Sequence, residues 1–334
     1  MGGIDLQTTT ILLFSLILVS LAGFLIARFT WLKFRLRRAF FALRRQIIWS
    51  IRHAPRNKFV LEVGSGHNPH IRSDVLCDKY LYDDAHRGAG IVIDRPLVVG
   101  DANALPFKIG SFDVIIASHL IEHLDDPRPF FEEAARVASS GLFTAPSAMR
   151  ERLMSDPQHR WLIEQEGDRL LFLAKTQPVH DPAIQRFFRE EIIDSPLGFD
   201  YFVLDHWRTL EITYIWNGRP QCVVDGEPGV AGFVKASTRE TTVRRELAGL
   251  ENLRGYLRTW ARRIAHGLLA SDRVISWSEI LACPQCHGDV QVSASIVYCA
   301  SCDLGFPIDR SIPIMLIDYA IANPDFDPTK APPK

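Results

Sequence analysis

The chain of 334 residues has no lysine or arginine before Arg28 and no aspartate or glutamate between Arg28 and Lys58. The first absence removes the basic n-region of a secretory signal peptide, because Asp5 is the only charged side chain ahead of the first apolar run. Position six holds Leu6 where an N-myristoylation signal wants Ser or Thr. Net charge is almost absent, at -1, so no global bias toward nucleic acid exists. Cysteine is scarce. Of six, four form two close pairs near the C-terminus while Cys77 and Cys222 stand alone, which reads as metal binding in a reducing compartment rather than a disulfide framework. Internal repeats and low-complexity tracts are also lacking.

What is present begins with an uncharged run, Thr10 to Ala27. At about 1.5 Å rise per residue it just reaches the roughly 30 Å of a bilayer core. A buried core helix would need a polar face and a place away from the terminus, so residues 1–28 are read as a transmembrane anchor. Arg28, Lys33, Arg35, Arg37 and Arg38 all follow the span. The positive-inside rule then puts the N-terminus outside and the rest in the cytoplasm, a single-pass arrangement in the inner (cytoplasmic) membrane. Residues 29–56 are read as a basic juxtamembrane helix lying on anionic lipid with Trp31 at the interface. The competing reading is a solvated helix that caps the next domain.

Phe59 to Pro69 reads Phe-Val-Leu-Glu-Val-Gly-Ser-Gly-His-Asn-Pro. A short apolar run bounded by glycine predicts a buried strand. Gly64 and Gly66 permit a tight turn or a close backbone approach to a ligand. Alone, this is equally a cofactor loop or a plain turn toward a helix starting near Pro69. Further strands are predicted at Asp74–Asp78, Leu97–Gly100, Phe112–Ser118 and Gly141–Ala145, with an amphipathic helix over Pro129–Ala138. Alternating strands and helices predict an α/β fold with a doubly wound parallel sheet.

Glu62-x-Gly64-x-Gly66, Asp78, Asp101-Ala102, Leu105-Pro106-Phe107, Ser111-Phe112-Asp113 and Glu122-His123, in that order, resemble the class I S-adenosylmethionine-dependent methyltransferases, in particular the methyltransferase type 11 domain. The resemblance implies a Rossmann-like methyltransferase sheet over residues 57–235, its motifs confined to Asn57–Pro146. It further implies that Glu62, Gly64, Ser65 and Gly66 hold the methionine part of S-adenosyl-L-methionine, that Asp78 takes the ribose hydroxyls, and that Asp101 and Ala102 meet the adenine. Ser118 and His119 would lie along the cofactor. One departure is Asn68, where the family often has a third glycine. Pro69 in turn occupies the last glycine position of the dinucleotide fingerprint, which counts against a dinucleotide-binding oxidoreductase. Glu122, His123 and His159 are the candidate proton acceptors for a hydroxyl or amine nucleophile.

Beyond Ser147, Arg169–Lys175 predicts a late strand, and Leu210–Trp216, Asn217-Gly218 and Pro220–Val224 predict a hairpin with a type I′ turn. His159, Trp161 and His180 are candidates for an acceptor pocket or a packed lid. Residues 236–272 are read as a helical linker, with Leu250, Leu253, Leu257, Trp260 and Ile264 as an apolar stripe and Arg254, Arg258 and Arg262 on another face.

Cys283-Pro-Gln-Cys286 and Cys299-Ala-Ser-Cys302 are two Cys-x-x-Cys knuckles, the spacing of a closed tetrahedral and therefore structural zinc site. The surrounding Ile280–Gly288 and Gly305–Leu316 resemble the zinc-ribbon methyltransferase activator proteins. This implies a zinc ribbon over residues 273–320 that packs on the methyltransferase domain in cis, followed by a tail, residues 321–334. The expected whole is a membrane-anchored methyltransferase with S-adenosyl-L-methionine and structural Zn2+ as cofactors. The anchor favours a small-molecule, lipid-linked or envelope-saccharide acceptor. The activator resemblance raises RNA or protein instead, and a non-catalytic membrane adaptor retaining the fold is the reading from another class.

Overall fold

The computed structural model describes residues 20, 23–24, 28–29, 43–81, 90–175, 182–193, 198–228 and 260–324. The expected span over residues 10–27 lies almost wholly outside these residues, as do residues 31–42, His180, Arg254, Arg258 and most of the tail. Among the described residues, no helix is long and apolar enough to cross a membrane.

The centre is a six-stranded sheet ordered β3-β2-β1-β4-β5-β8. Its strands are β1 (Val60–Val63), β2 (Val75–Asp78), β3 (Leu97–Val99), β4 (Phe112–Ser118), β5 (Ala138–Pro146) and β8 (Glu211–Asn217). The first five are parallel and β8 runs antiparallel to β5. β1 and β2 are buried along their whole length, as strands covered on both faces must be. Strand order reverses between β1 and β4, where Val63 lies beside Ala117, so a crevice opens at their carboxyl ends.

Helix α1 (residues 43–53) covers one face. Trp49 and the following Ala54 pack there with Val60, Val114, Ile116 and Leu142. Arg45 stacks 3.6 Å above the Trp207 ring and lies 3.9 Å from Glu211. This part of the basic segment therefore docks on the domain through one face, while Ile48 and Ile51 remain exposed. Helix α2 (Pro127–Val137) covers the other face and starts two residues before the expected Pro129, because the Asp126 side chain caps the Arg128 N–H. Its Phe130, Phe131, Ala134 and Val137 join the main core with Phe143, Trp161 and Tyr214.

Two expectations fail. No helix follows the first glycine loop: the chain from Gly64 to Asp74 is turns and bends. The buried Glu62 carboxylate holds that stretch, accepting from the His70 N–H at 2.7 Å and from the Ser73 hydroxyl. Nor do the strands around Asn217-Gly218 pair with each other. β8 joins the central sheet, whereas β9 (Gln221–Asp225) pairs in parallel with β7 (Arg169–Ala174) in a three-stranded sheet completed by β6 (Trp161–Glu166). The Tyr214 hydroxyl sits between the two sheets, donating to the Asp168 carbonyl at 2.7 Å and accepting from the Gln221 N–H at 2.9 Å. Between these strands and β5 lie α3 (Ala148–Leu153), α4 (Pro182–Phe188) and α5 (Gly198–Leu210).

In the linker, α6 (residues 260–269) docks through Arg262, which reaches the Pro69 carbonyl, and His266, whose Nδ1 is 3.1 Å from the Ile71 carbonyl. Trp260 and Ile264, expected on the apolar docking face, are exposed. The C-terminal module comprises α7 (Trp277–Ile280) and strands β10 to β14 between Gln291 and Ala322. It sits on the β3 edge of the central sheet. The Met315 N–H donates to the Val99 carbonyl at 2.7 Å, Ala282 N–H to Pro106 at 3.0 Å, and Lys108 N–H to Ile280 at 2.8 Å. Leu281, Phe306 and Met315 belong to one apolar cluster with Val98, Leu105 and Phe107. An otherwise open edge strand is thus capped.

Candidate active site

The crevice at the carboxyl ends of β1 and β4 is where an open α/β sheet binds ligands. Gly64 and Gly66 turn the chain there with φ of +71° and +52°. A Cβ on Gly64 would come within 3.0 Å of the Leu120 side chain. Asn68 is not among the described residues with positive φ, so the missing third glycine demands no strained backbone. The Gly66 N–H donates to Asp78 Oδ2 at 2.9 Å and the Tyr80 N–H to Asp78 Oδ1 at 3.0 Å. Asp78 therefore ties the tip of β2 to the glycine loop. Val92 closes over the same loop, donating to the Gly66 carbonyl at 3.0 Å.

Three observations bear on whether a nucleoside carrying an amino acid fits. The Ser65 hydroxyl is buried in the loop with no partner among the described residues. Asp101, past the end of β3, accepts from Asn103 N–H at 2.9 Å and from Lys79 at 2.7 Å, beside the buried Ala102. A carboxylate has about four acceptor positions, so Asp101 has acceptor positions beyond these two bonds. Glu62 is buried and takes both its bonds, from His70 and Ser73, on one oxygen, Oε2. The loop, Asp78 and Asp101 thus fit S-adenosyl-L-methionine, with Glu62 shaping the loop from behind.

Ser118 ends β4, and His119 follows with φ of +53°, an uncommon conformation for a side chain of this size. Its Nδ1 lies 3.2 Å from Glu122 Oε1 and its Nε2 3.9 Å from Glu211. Glu122 is fully buried. Burial opposes its charge, yet the His119 hydrogen bond and the neighbouring His119, His123 and His159 hold the carboxyl below its usual range. Burial likewise pushes the His123 imidazole down, favouring its neutral, proton-accepting form.

The chain brings Glu122, His123 and His159 together, with one ligand-type atom of each within 4.8 Å of the others. His159 also touches Glu151 Oε1 at 2.5 Å, and Lys175 holds the other Glu151 oxygen at 2.9 Å. A cavity of about 200 Å³ opens beside it, lined by residues including Arg150, Glu151, Asp156, His159 and Arg189. Trp161, a candidate for an acceptor pocket or a packed lid, is packed in the core with its indole N–H on the Leu124 carbonyl at 2.7 Å. Sequence reasoning missed Glu151 and Lys175. They reach His159 from α3 and the end of β7, a juxtaposition with no sequence spacing to betray it.

In the C-terminal module the four cysteine sulfurs all lie within 4.8 Å of one another. Cys283 and Cys302 are 4.0 Å apart and Cys286 and Cys299 3.7 Å. These are far beyond a disulfide bond, and all four are free thiols. A tetrahedral ion with ligands at about 2.3 Å would set sulfurs roughly 3.8 Å apart, so the donor set fits zinc. The Gly288 N–H points at Cys286 Sγ at 3.4 Å, an arrangement that stabilises a thiolate.

Comparison with known proteins adds a family to this geometry. Residues 80–144 match the family described as "Methyltransferase domain". Two proteins of Rauvolfia serpentina, an ajmaline N-methyltransferase and a norajmaline N-methyltransferase, are 49% and 46% identical over 43 residues. Each match spans 13% of this chain and 15% of the relative. A S-adenosylmethionine-dependent methyltransferase from Aquifex aeolicus is similar over 28% of this chain and 59% of its own, at 16% identity and a TM-score of 0.23. The likeness to a methyltransferase domain thus runs from beside the tip of β2 to near the end of β5, a part of the central sheet and not the whole chain.

Proposed function

We propose that the protein is an S-adenosyl-L-methionine-dependent methyltransferase, and that its C-terminal module is a zinc ribbon supporting the methyltransferase sheet. The observation that carries this reading is the glycine loop at the switch point, tied by Asp78 and holding a buried Ser65 hydroxyl that has no partner among the described residues. When bound, the cofactor supplies a methyl group already activated by its sulfonium. The chain's task is to bind, orient and exclude water. Ser65 and the loop amides hold the amino-acid end, Asp78 the ribose, and Asp101 with Ala102 the base. His119, 44% exposed, stands between this crevice and the Glu122 cluster.

The N-terminal apolar run and the basic residues after it support a single-pass anchor, with the domain on the cytoplasmic side of the membrane. An anchored enzyme acts best on what the membrane concentrates, so we infer a lipid-linked, envelope-saccharide or small apolar acceptor. The test is transfer of labelled methyl from S-adenosyl-L-methionine into lipid, RNA and protein fractions, with calorimetric titration of the cofactor. Label in the lipid fraction, lost in Asp101→Ala, is the expected result. A folded protein with no cofactor affinity would sink the enzyme reading.

A further inference from the structure

We propose that Glu122, His123 and His159 form a divalent-cation site of the two-histidine, one-carboxylate type, separate from the four-cysteine cluster. Three features point to an ion rather than to a packed polar cluster. Glu122 is completely buried, and while its Oε1 meets His119, its Oε2 has no partner among the described residues. A buried carboxylate oxygen left bare is costly, and a cation removes that cost. Both histidines are already oriented through Nδ1, His123 against the Gln158 carbonyl at 3.3 Å and His159 against Glu151 Oε1 at 2.5 Å. This is the arrangement in which metal-bound imidazoles are held, and it leaves Nε2 of each as the open donor. Among the described residues, the partner of His159 Nε2 is Asp156, at 3.9 Å. Finally, the two rings are 4.8 Å apart at 74°. Two imidazoles bound to one ion at about 2.1 Å, roughly at right angles, place their centroids on the order of 4.5–5 Å apart.

The ligands are nitrogen and oxygen only, which suits Mn2+, Fe2+, Co2+ or Zn2+ with positions left open. Of the three, His159 alone lines the cavity with Arg150 and Arg189, which places space for a second ligand beside that imidazole. Taken with the methyltransferase reading, on which this step rests, the site selects an acceptor that coordinates through a hydroxyl oxygen. The ion lowers that hydroxyl's pKa, the O–H bond breaks, its proton leaves to water, and the oxygen keeps the electron pair.

The test uses the full-length protein in detergent. Total metal is counted, then Mn2+ is titrated with free Mn2+ followed by electron paramagnetic resonance; thiolate sites do not favour Mn2+. Expected is one equivalent, as isolated metal beyond the cysteine site or as Mn2+ taken up. Glu122→Gln and His159→Ala should each weaken it at least 100-fold with unchanged melting in metal-free buffer. Glu151→Gln, a positioning change, should weaken it about 10–100-fold. A folded wild-type protein with no such equivalent overturns the proposal, as does undiminished binding by the Glu122→Gln/His159→Ala variant. Cofactor titration of the same samples separates the two readings: cofactor without cation sinks only the site, and cation without cofactor sinks only the enzyme.

Discussion

Glu62, the acid two residues before the glycine loop, is in the structure the group that holds the stretch after that loop. Burial pushes its carboxyl up to about 7, against the His70 and Ser73 hydrogen bonds that favour the anion. The folded state thus keeps a proton that the unfolded chain has already released. Stability should fall as pH rises from about 4.5 to 7, and the loss is complete above that. Glu62→Gln retains an acceptor for the His70 N–H but cannot ionise. Urea unfolding should find the variant and wild type similar at pH 4.5, and the variant more stable at pH 8 by up to roughly 3 kcal/mol. An identical pH dependence in both proteins would refute the assignment. The glycines behave as their sequence implies. Gly64→Ala puts a Cβ into left-handed backbone against Leu120, so it should cost about 1–2 kcal/mol in thermal or urea unfolding and weaken cofactor binding in calorimetry. Gly-x-Gly was legible because only glycine takes those φ values cheaply. The direction of the Glu62 side chain was not, since it depends on a loop eight residues further on.

At the level of elements, the parallel strands were readable because burial on both faces leaves runs such as Val-Leu-Glu-Val with little polar content. Asn217-Gly218 misled, because a local turn signal cannot report which neighbour a strand prefers. β5 offers β8 a seven-residue antiparallel register that packs Tyr214 and Trp216 beside Phe143, and that burial outweighs a hairpin. The docking of the cysteine module beside β3 was equally invisible, since it rests on three backbone bonds, Met315 to Val99, Ala282 to Pro106 and Lys108 to Ile280, and a shared apolar cluster. Met315 is fully buried, so Met315→Ala should cost about 2–5 kcal/mol. The loss should appear in one cooperative melt of the whole domain, because the cluster is continuous; a separate early transition confined to the module would argue otherwise. Zinc should likewise be present at one per four-cysteine site. Chelation should lower the melting temperature of the entire sheet, measured by circular dichroism.

For the molecule as a whole, the decisive boundary is where the N-terminal segment stops belonging to the membrane and starts belonging to the domain. The sequence places it near residue 56, at the end of the basic stretch. The packing places it before Arg45, because Arg45 stacks on Trp207 and Trp49 and Ala54 cover the face formed by Val60, Val114, Ile116 and Leu142. The same segment feeds Arg72, a fully buried guanidinium that donates to the carbonyls of Ala54 at 2.6 Å and Pro55 at 3.0 Å and to Asp74 at 2.7 Å. Removing residues 1–42 should therefore move the protein from the membrane fraction to the supernatant with its melting temperature unchanged. Removing residues 1–55 should also free it from the membrane, but at a cost of several kcal/mol. That deletion strips apolar cover from four strand residues and takes two acceptors from a buried cation. Fractionation and urea unfolding of the two truncations side by side distinguish the cases. Equal stability would mean that α1 contributes nothing to the core. Retention of the shorter truncation on membranes would instead assign membrane binding to the folded domain and not to the apolar run at its start.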